Sequence, residues 1–221
     1  SDEWLMMLKS TLPKDLDTSK DAIGSIVCSV VPQINNDFLK ALTDYLGTNP
    51  ILLGPGVKTG LSVNIDNPKE LGPDRIANSV GGLHKVGAPL IVIDMGTATK
   101  YDVINSRGVF IGGVISPGIE LSAINLFEKA ALLKKTTFKF PKNVIGTNTE
   151  SNIQSGIMYG SIDSINGMIN RIINETKWKD FSIIMTGGFS EIIKEKIDKR
   201  FILNPNLTLE GLNFINQNIS S

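Results

Sequence analysis

Two short stretches bring together side chains able to handle phosphate. In Asp94-Met95-Gly96-Thr97-Ala98-Thr99 a carboxylate is followed at once by a glycine and two threonines. A carboxylate at a strand end can hold a cation, a glycine lets phosphate oxygens approach backbone N–H groups, and threonine hydroxyls add donors. The same residues would also serve a plain β-hairpin, with Asp94 and the threonines satisfying turn backbone. The second stretch, Gly72-Pro73-Asp74-Arg75, leads into a helix predicted over Ile76 to Val86. A basic residue beside the positive end of a helix dipole is poorly placed unless it serves a bound carboxylate or phosphate. Asp74 reads either as a cap or as more than one, because Pro68, Gly72 and Pro73 stiffen the approach beyond what a cap requires.

Other chemistries have less to build on. Lys58-Thr59 in Gly54-Pro55-Gly56-Val57-Lys58-Thr59-Gly60 resembles a nucleotide loop, but Val57 stands where such loops need glycine and an extended stretch follows instead of a helix. His84 is the single histidine and reads as a half-buried scaffold residue on its helix, so histidine-based triads and zinc sites are disfavoured. The single cysteine, Cys28, excludes an internal disulfide framework and reads as a small core residue. Phosphoryl transfer with an aspartate base stays open. Lys plus Arg and Asp plus Glu both number 22, so no net field favours nucleic acid or an anionic membrane. The acidic start SDEWLMMLKS does not read as a signal peptide, and no apolar run is long enough to span a bilayer; the expected location is the cytoplasm.

Positioning these residues takes an α/β chain. Asp2 to Leu12 reads as a surface helix, Ala22 to Pro32 as a buried strand, Gln33 to Leu46 as a helix and Pro50 to Leu53 as a second strand, a parallel unit. Leu90 to Ile93, Lys100 to Asn105 and Val109 to Ser116 read as strands, the last two joined at Ser106-Arg107-Gly108. Helices follow at Glu120 to Leu133 and Glu150 to Asn174, the latter with Gly156, Gly160 and Gly167 allowing something to pack close. Ile145-Gly146-Thr147-Asn148-Thr149 before it either faces a ligand or caps the helix. Phe181 to Met185 reads as a buried strand that ends in Thr186-Gly187-Gly188 ahead of a helix at Ser190 to Ile197, a second place with room for a nucleotide. Leu207 to Asn218 closes the chain as a helix.

Taken in order, Gly54-Pro55-Gly56 to Gly60, Asp66-Asn67-Pro68, Gly72-Pro73-Asp74-Arg75, Asp94 to Thr99, Gly112-Gly113, Pro117-Gly118, Gly146 to Thr149 and Gln154-Ser155-Gly156 resemble the type III pantothenate kinases, of the actin, sugar kinase and Hsp70 ATPase superfamily. The resemblance implies an α/β fold of two ribonuclease-H-like domains, at 1–86 and 87–221, the first lacking its N-terminal strands. It implies transfer of phosphate from ATP to pantothenate, giving 4′-phosphopantothenate at the first step of coenzyme A biosynthesis, in a homodimer. By resemblance Asp74 is the general base, Gly72, Pro73 and Arg75 hold pantothenate, and Thr149 is a further contact. Gly96 and Thr97 would bind ATP, Gly187 and Gly188 the adenosine, and Asp94 a monovalent cation, potassium or ammonium; Mg2+ would sit on the phosphates.

The chain departs from the family's pattern in a few places. Pro73 stands where alanine is frequent and Lys100 where threonine is frequent, both expected to be tolerated, while Ile65 replaces an aromatic near the substrate pocket. The family's first phosphate motif, on an N-terminal strand within a three-stranded meander, precedes the residue numbered Ser1. Two buried strands cannot cover the helices at Trp4 to Leu12 and Phe38 to Leu46, so an upstream meander is expected to pair there. The polypeptide from Ser1 alone is accordingly expected to be poorly soluble and inactive. Two further readings remain at this point: a non-catalytic nucleotide-binding accessory or regulatory protein of the same fold, and a nucleotide-dependent assembly protein.

Overall fold

The computed structural model describes residues 2–11, 24–129, 136–197 and 200–220. Leu12, the expected strand start at 22–23, and the last turn of the expected helix at 130–133 lie outside the described residues. In chain order the elements are α1 Asp2–Thr11, β1 Ile26–Val27, α2 Pro32–Leu46, β2 Ile51–Leu52, β3 Ser62–Val63, α3 Pro73–Val86, β4 Leu90–Met95, β5 Ala98–Ile104, β6 Val109–Pro117, α4 Ile119–Lys129, α5 Thr149–Thr176, β7 Ser182–Thr186, α6 Ser190–Ile193, β8 Phe201–Leu203 and α7 Leu207–Ser220. The class is α/β, as expected. The chain divides into two compact units, one of 1–61, 66–84 and 207–221, the other of 62–65 and 85–206.

The second unit is built on a sheet of strand order β3-β6-β5-β4-β7-β8. β4, β5 and β6 form an antiparallel meander, and β7 and β8 then join parallel to β4. β4 is buried along Leu90 to Ile93, so its hydrophobic run needs no alternation, and its one charged residue falls at the end of the run, Asp94. α5 lays Met158, Ile162, Ile165, Ile169 and Ile172 at helical spacing against Ile91, Ile93, Met95 and Tyr101 of the sheet. Each fully buried isoleucine there contributes roughly 1.5–3 kcal/mol. The helix begins where Asn148 accepts from the Ser151 N–H while the Ser151 hydroxyl receives the Asn148 N–H, a reciprocal cap, and ends at Lys177 in the left-handed region, φ 59°.

The first unit carries a two-stranded parallel sheet, Ile26 opposite Ile51 and Val27 opposite Leu52. Within the described residues 24–32 the expected strand at Ala22 to Pro32 is corrected to these two, because β2 offers only Ile51 and Leu52 to pair with; Pro32, lacking an N–H, opens α2. α1 rests on α2 through an edge contact of Trp4 with Phe38, ring centroids 5.1 Å apart. The core of this unit joins Leu53, Ala77, Val80, Leu212 and Ile215, with Cys28 packed against it as expected of a small core residue. α3 and α7 meet through glycine: a Cβ on Gly211 would lie 1.9 Å from the Ala77 carbonyl oxygen. His84 is exposed, not half-buried, its ring stacked on Phe214 at 4.0 Å.

Candidate active site

Five of the residues singled out from the sequence come together at the carboxyl ends of β4 and β7. β4 leaves the sheet at Met95 and turns through Gly96-Thr97 into β5. The Gly96 N–H donates to the Ala98 carbonyl at 3.2 Å, so Gly96 contributes space to the turn and not a free donor. The Gly118 N–H donates to the Thr97 carbonyl at 3.0 Å, and a Cβ on Gly118 would lie 2.3 Å from the Gly96 oxygen. Only glycine can sit against the turn so closely, which accounts for Pro117-Gly118. Thr97 itself is exposed.

On the neighbouring strand Thr186 is buried and Gly187 has φ +90°, with its absent Cβ replaced by the backbone of Met95, which would be 2.6 Å away. The β4–β5 and β7–α6 turns are therefore pressed against one another, with Gly188 exposed beside them. The carboxyl end of parallel strands is where open α/β sheets bind ligands. The expected helix at Ser190 to Ile197 is shorter: one turn of α-helix to Ile193, then a 3₁₀ turn over Lys194–Lys196. One turn carries little dipole; the clearance at Gly187 is taken up by the Met95 backbone, while the Cβ position of Gly188 is open.

Asp94 is held in a way the sequence reading missed. It stands directly opposite Lys100 on β5 and beside Thr186 on β7, in one row across three strands. The Lys100 ammonium lies 2.8 Å from Asp94 Oδ2, with side chains only 16% and 14% exposed respectively. The chain's own ammonium thus already engages one oxygen of the carboxylate to which the resemblance assigns a free monovalent ion, a poor fit for a second cation at the same group. From the sequence Lys100 reads as the start of a strand, tolerable in place of threonine. Extending β5 back to Ala98 fixes the antiparallel register and makes the pair legible.

Thr149 is the first residue of α5 and exposed, with the capping carried by its neighbour Asn148. It lies on the wall of a cavity of about 800 Å³ bounded by β4, β5, β6, α4 and α5, together with Met95, Thr99, Tyr101 and Ser116. Gly156 and Gly160 were expected to admit a close-packed element. No described atom lies within 4 Å of a Cβ built on either, and both line this cavity instead. Burial pushes the Tyr101 phenol up to about 12.

In the first unit Pro73 occupies the first turn of α3, Asp74 and Arg75 follow it, and all are half-buried. The Asp74 carboxylate folds back over Gly72, where a Cβ would stand 2.6 Å from its Oδ1. Gly72 thus lets that carboxylate lie across the helix start. The Gly54 to Gly60 loop is an irregular connector turning at Gly56 and Gly60, φ 95° and 76°.

The second unit thus combines an antiparallel meander, two further parallel strands and a carboxylate with a glycine turn at the strand ends, in an α/β arrangement. The profile of the type III pantothenate kinases matches residues 1–171, and the chain belongs to that family. Among solved structures it is similar to a Campylobacter jejuni protein described as a conserved Baf family transcriptional activator, at 21% identity, 95% coverage of this chain, 90% of that one and TM-score 0.60. More distant are the activator of 2-hydroxyisocaproyl-CoA dehydratase from Clostridium difficile with bound ADPNP (12% identity, 84% and 82% coverage, TM-score 0.46) and an archaeal actin homologue (14%, 79% and 57%, TM-score 0.40). At 21% identity the likeness to the Campylobacter jejuni protein speaks to fold alone. No helix among the described residues is long and apolar enough to cross a membrane.

Proposed function

We propose that the protein transfers the γ-phosphoryl group of ATP to the primary hydroxyl of pantothenate, releasing ADP and 4′-phosphopantothenate. The observation that carries this is the family match across residues 1–171, which includes Asp74, Arg75, Asp94, Thr97 and Thr149. In this reading Asp74 accepts the hydroxyl proton, the guanidinium of Arg75 pairs with the substrate carboxylate, and Gly72 and Pro73 shape the approach. Thr149 offers a hydroxyl to pantothenate. Gly96 and Thr97 meet the phosphates, and Gly188, beside Gly187, leaves room for the adenosine. Mg2+ would neutralise charge on the phosphates. The active species in this reading is a homodimer.

The test is ADP release from ATP with and without pantothenate. Stimulation that depends on pantothenate, with a phosphorylated product of matching mass, is the expected result. Nucleotide binding with no pantothenate-dependent turnover would return the chain to the non-catalytic accessory reading.

A further inference from the structure

We propose that the Lys100 ammonium is a tethered cation that takes the place of a free potassium or ammonium ion at Asp94, so that nucleotide binding by this protein is independent of monovalent salt. The inference rests on the reading of Asp94 as part of the ATP site. A lysine side chain ends in an ammonium group, a compact single positive charge with three rotatable donors. It is chemically an ammonium ion on a four-carbon stem. Here it is delivered by β-sheet register: Lys100 is the direct cross-strand partner of Asp94, and its Nζ stands 2.8 Å from Oδ2. That is the distance of a charge-assisted hydrogen bond.

The pair differs from an ornamental surface bridge in three respects. Both side chains are mostly buried, at 16% and 14% exposure. Their row continues into buried Thr186 on β7, which closes the side of Asp94 away from Lys100. The other carboxylate oxygen, Oδ1, faces the phosphate-side turn, 3.7 Å from where a Gly96 Cβ would be. One oxygen is thus engaged by the chain's own cation while the other looks toward the turn. A second free cation at the same carboxylate would meet like charge.

The experiment is calorimetric titration of a non-hydrolysable ATP analogue with Mg2+, in potassium, ammonium, sodium and tetramethylammonium chloride at equal ionic strength. The wild-type protein is expected to bind with the same affinity in all four within about twofold. Lys100→Thr is expected to lose about tenfold or more in tetramethylammonium and to recover to within about threefold of wild type in potassium or ammonium. A tenfold gain of wild-type affinity on moving from tetramethylammonium to potassium overturns the proposal, and this arm needs no variant to fold. Equal affinity of Lys100→Thr in every salt overturns it as well. Salt-independent binding with rescue of the variant, but without pantothenate-dependent ADP release, sustains the tethered cation and removes the kinase reading. Absence of binding in any salt removes both.

Discussion

Asp74 stands at the second position of α3, where a carboxylate is favoured by the helix dipole whether or not it does chemistry. Asparagine suits the same location and cannot accept the proton as a base, so Asp74→Asn separates the two roles. It is expected to leave the melting temperature within a few degrees and to lower pantothenate-dependent turnover by roughly 10²- to 10⁴-fold. Turnover within a few-fold of wild type would make Asp74 a helix-start residue only. At Asp94 the balance is electrostatic. Another monovalent cation held about 4 Å from the Lys100 ammonium would be repelled by about 4 kcal/mol at an effective dielectric of about 20, offsetting much of what the carboxylate offers it. Tyr101 gives a pH signature of its burial. With its pKa pushed up to about 12 from 10.0, the folded chain keeps the phenol proton where the unfolded chain loses it. Stability is therefore unaffected by this group below the unfolded value and falls as pH rises from there through the folded value. The loss is about 1.4 kcal/mol near pH 11, and Tyr101→Phe should remove that part of the slope in urea unfolding at about pH 9 and 11. An unchanged slope would mean the phenol is hydrated in the 800 Å³ cavity it borders.

Elements with a strong repeat of their own were legible in the sequence. The helix read at Glu150 to Asn174 falls within two residues of α5 at either end, and the apolar run of β4 locates the central strand. Where a partner sets the outcome, the sequence was less informative. β1 is short because β2 offers only Ile51 and Leu52 to pair with. β8, three residues at Phe201–Leu203, was not read at all; it exists by pairing with β7 and has no periodic signal of its own. The Asp94–Lys100 pair was hidden for a related reason, since it depends on register. Glycines divide the same way. Gly118 faces the Gly96 and Thr97 carbonyls, so Gly118→Ala should shift the turn, cost about 1–3 kcal/mol and weaken ATP binding. Gly156 has open space on α5, so Gly156→Ala should stabilise by up to about 1 kcal/mol. Thermal melting of both variants is the check, and equal effects would refute the close approach at Gly118.

At the scale of the whole molecule, the first unit is discontinuous in sequence: α7 returns after the second unit to complete a core begun far upstream. Leu212 and Ile215 of α7 share that core with Leu53, Ala77 and Val80, whereas among the described residues none of those in the core around α5 and β4 comes from α7. The return is fixed by close backbone contact. Gly211 would drive a Cβ to 1.9 Å from the Ala77 carbonyl oxygen, Gly81 would drive one to 2.7 Å from the Leu207 carbonyl oxygen, and the Thr208 hydroxyl donates to buried Asn78 Oδ1 at 2.6 Å. Backbone atoms cannot rotate aside as a flexible side chain can, so Gly211→Val must separate α7 from α3. The freed helix then exposes Leu212 and Ile215, and overpacking of this kind typically costs about 1–3 kcal/mol, occasionally more. Hydrogen exchange resolves where the cost falls. Amides of α3, β1 and β2 should lose protection in the variant by about ten- to a hundredfold, while those of β4, β5 and β7, whose core α7 does not enter, should change much less. A uniform loss across both sets would mean that α7 stabilises the chain as one cooperative block and that the two contact units do not unfold separately.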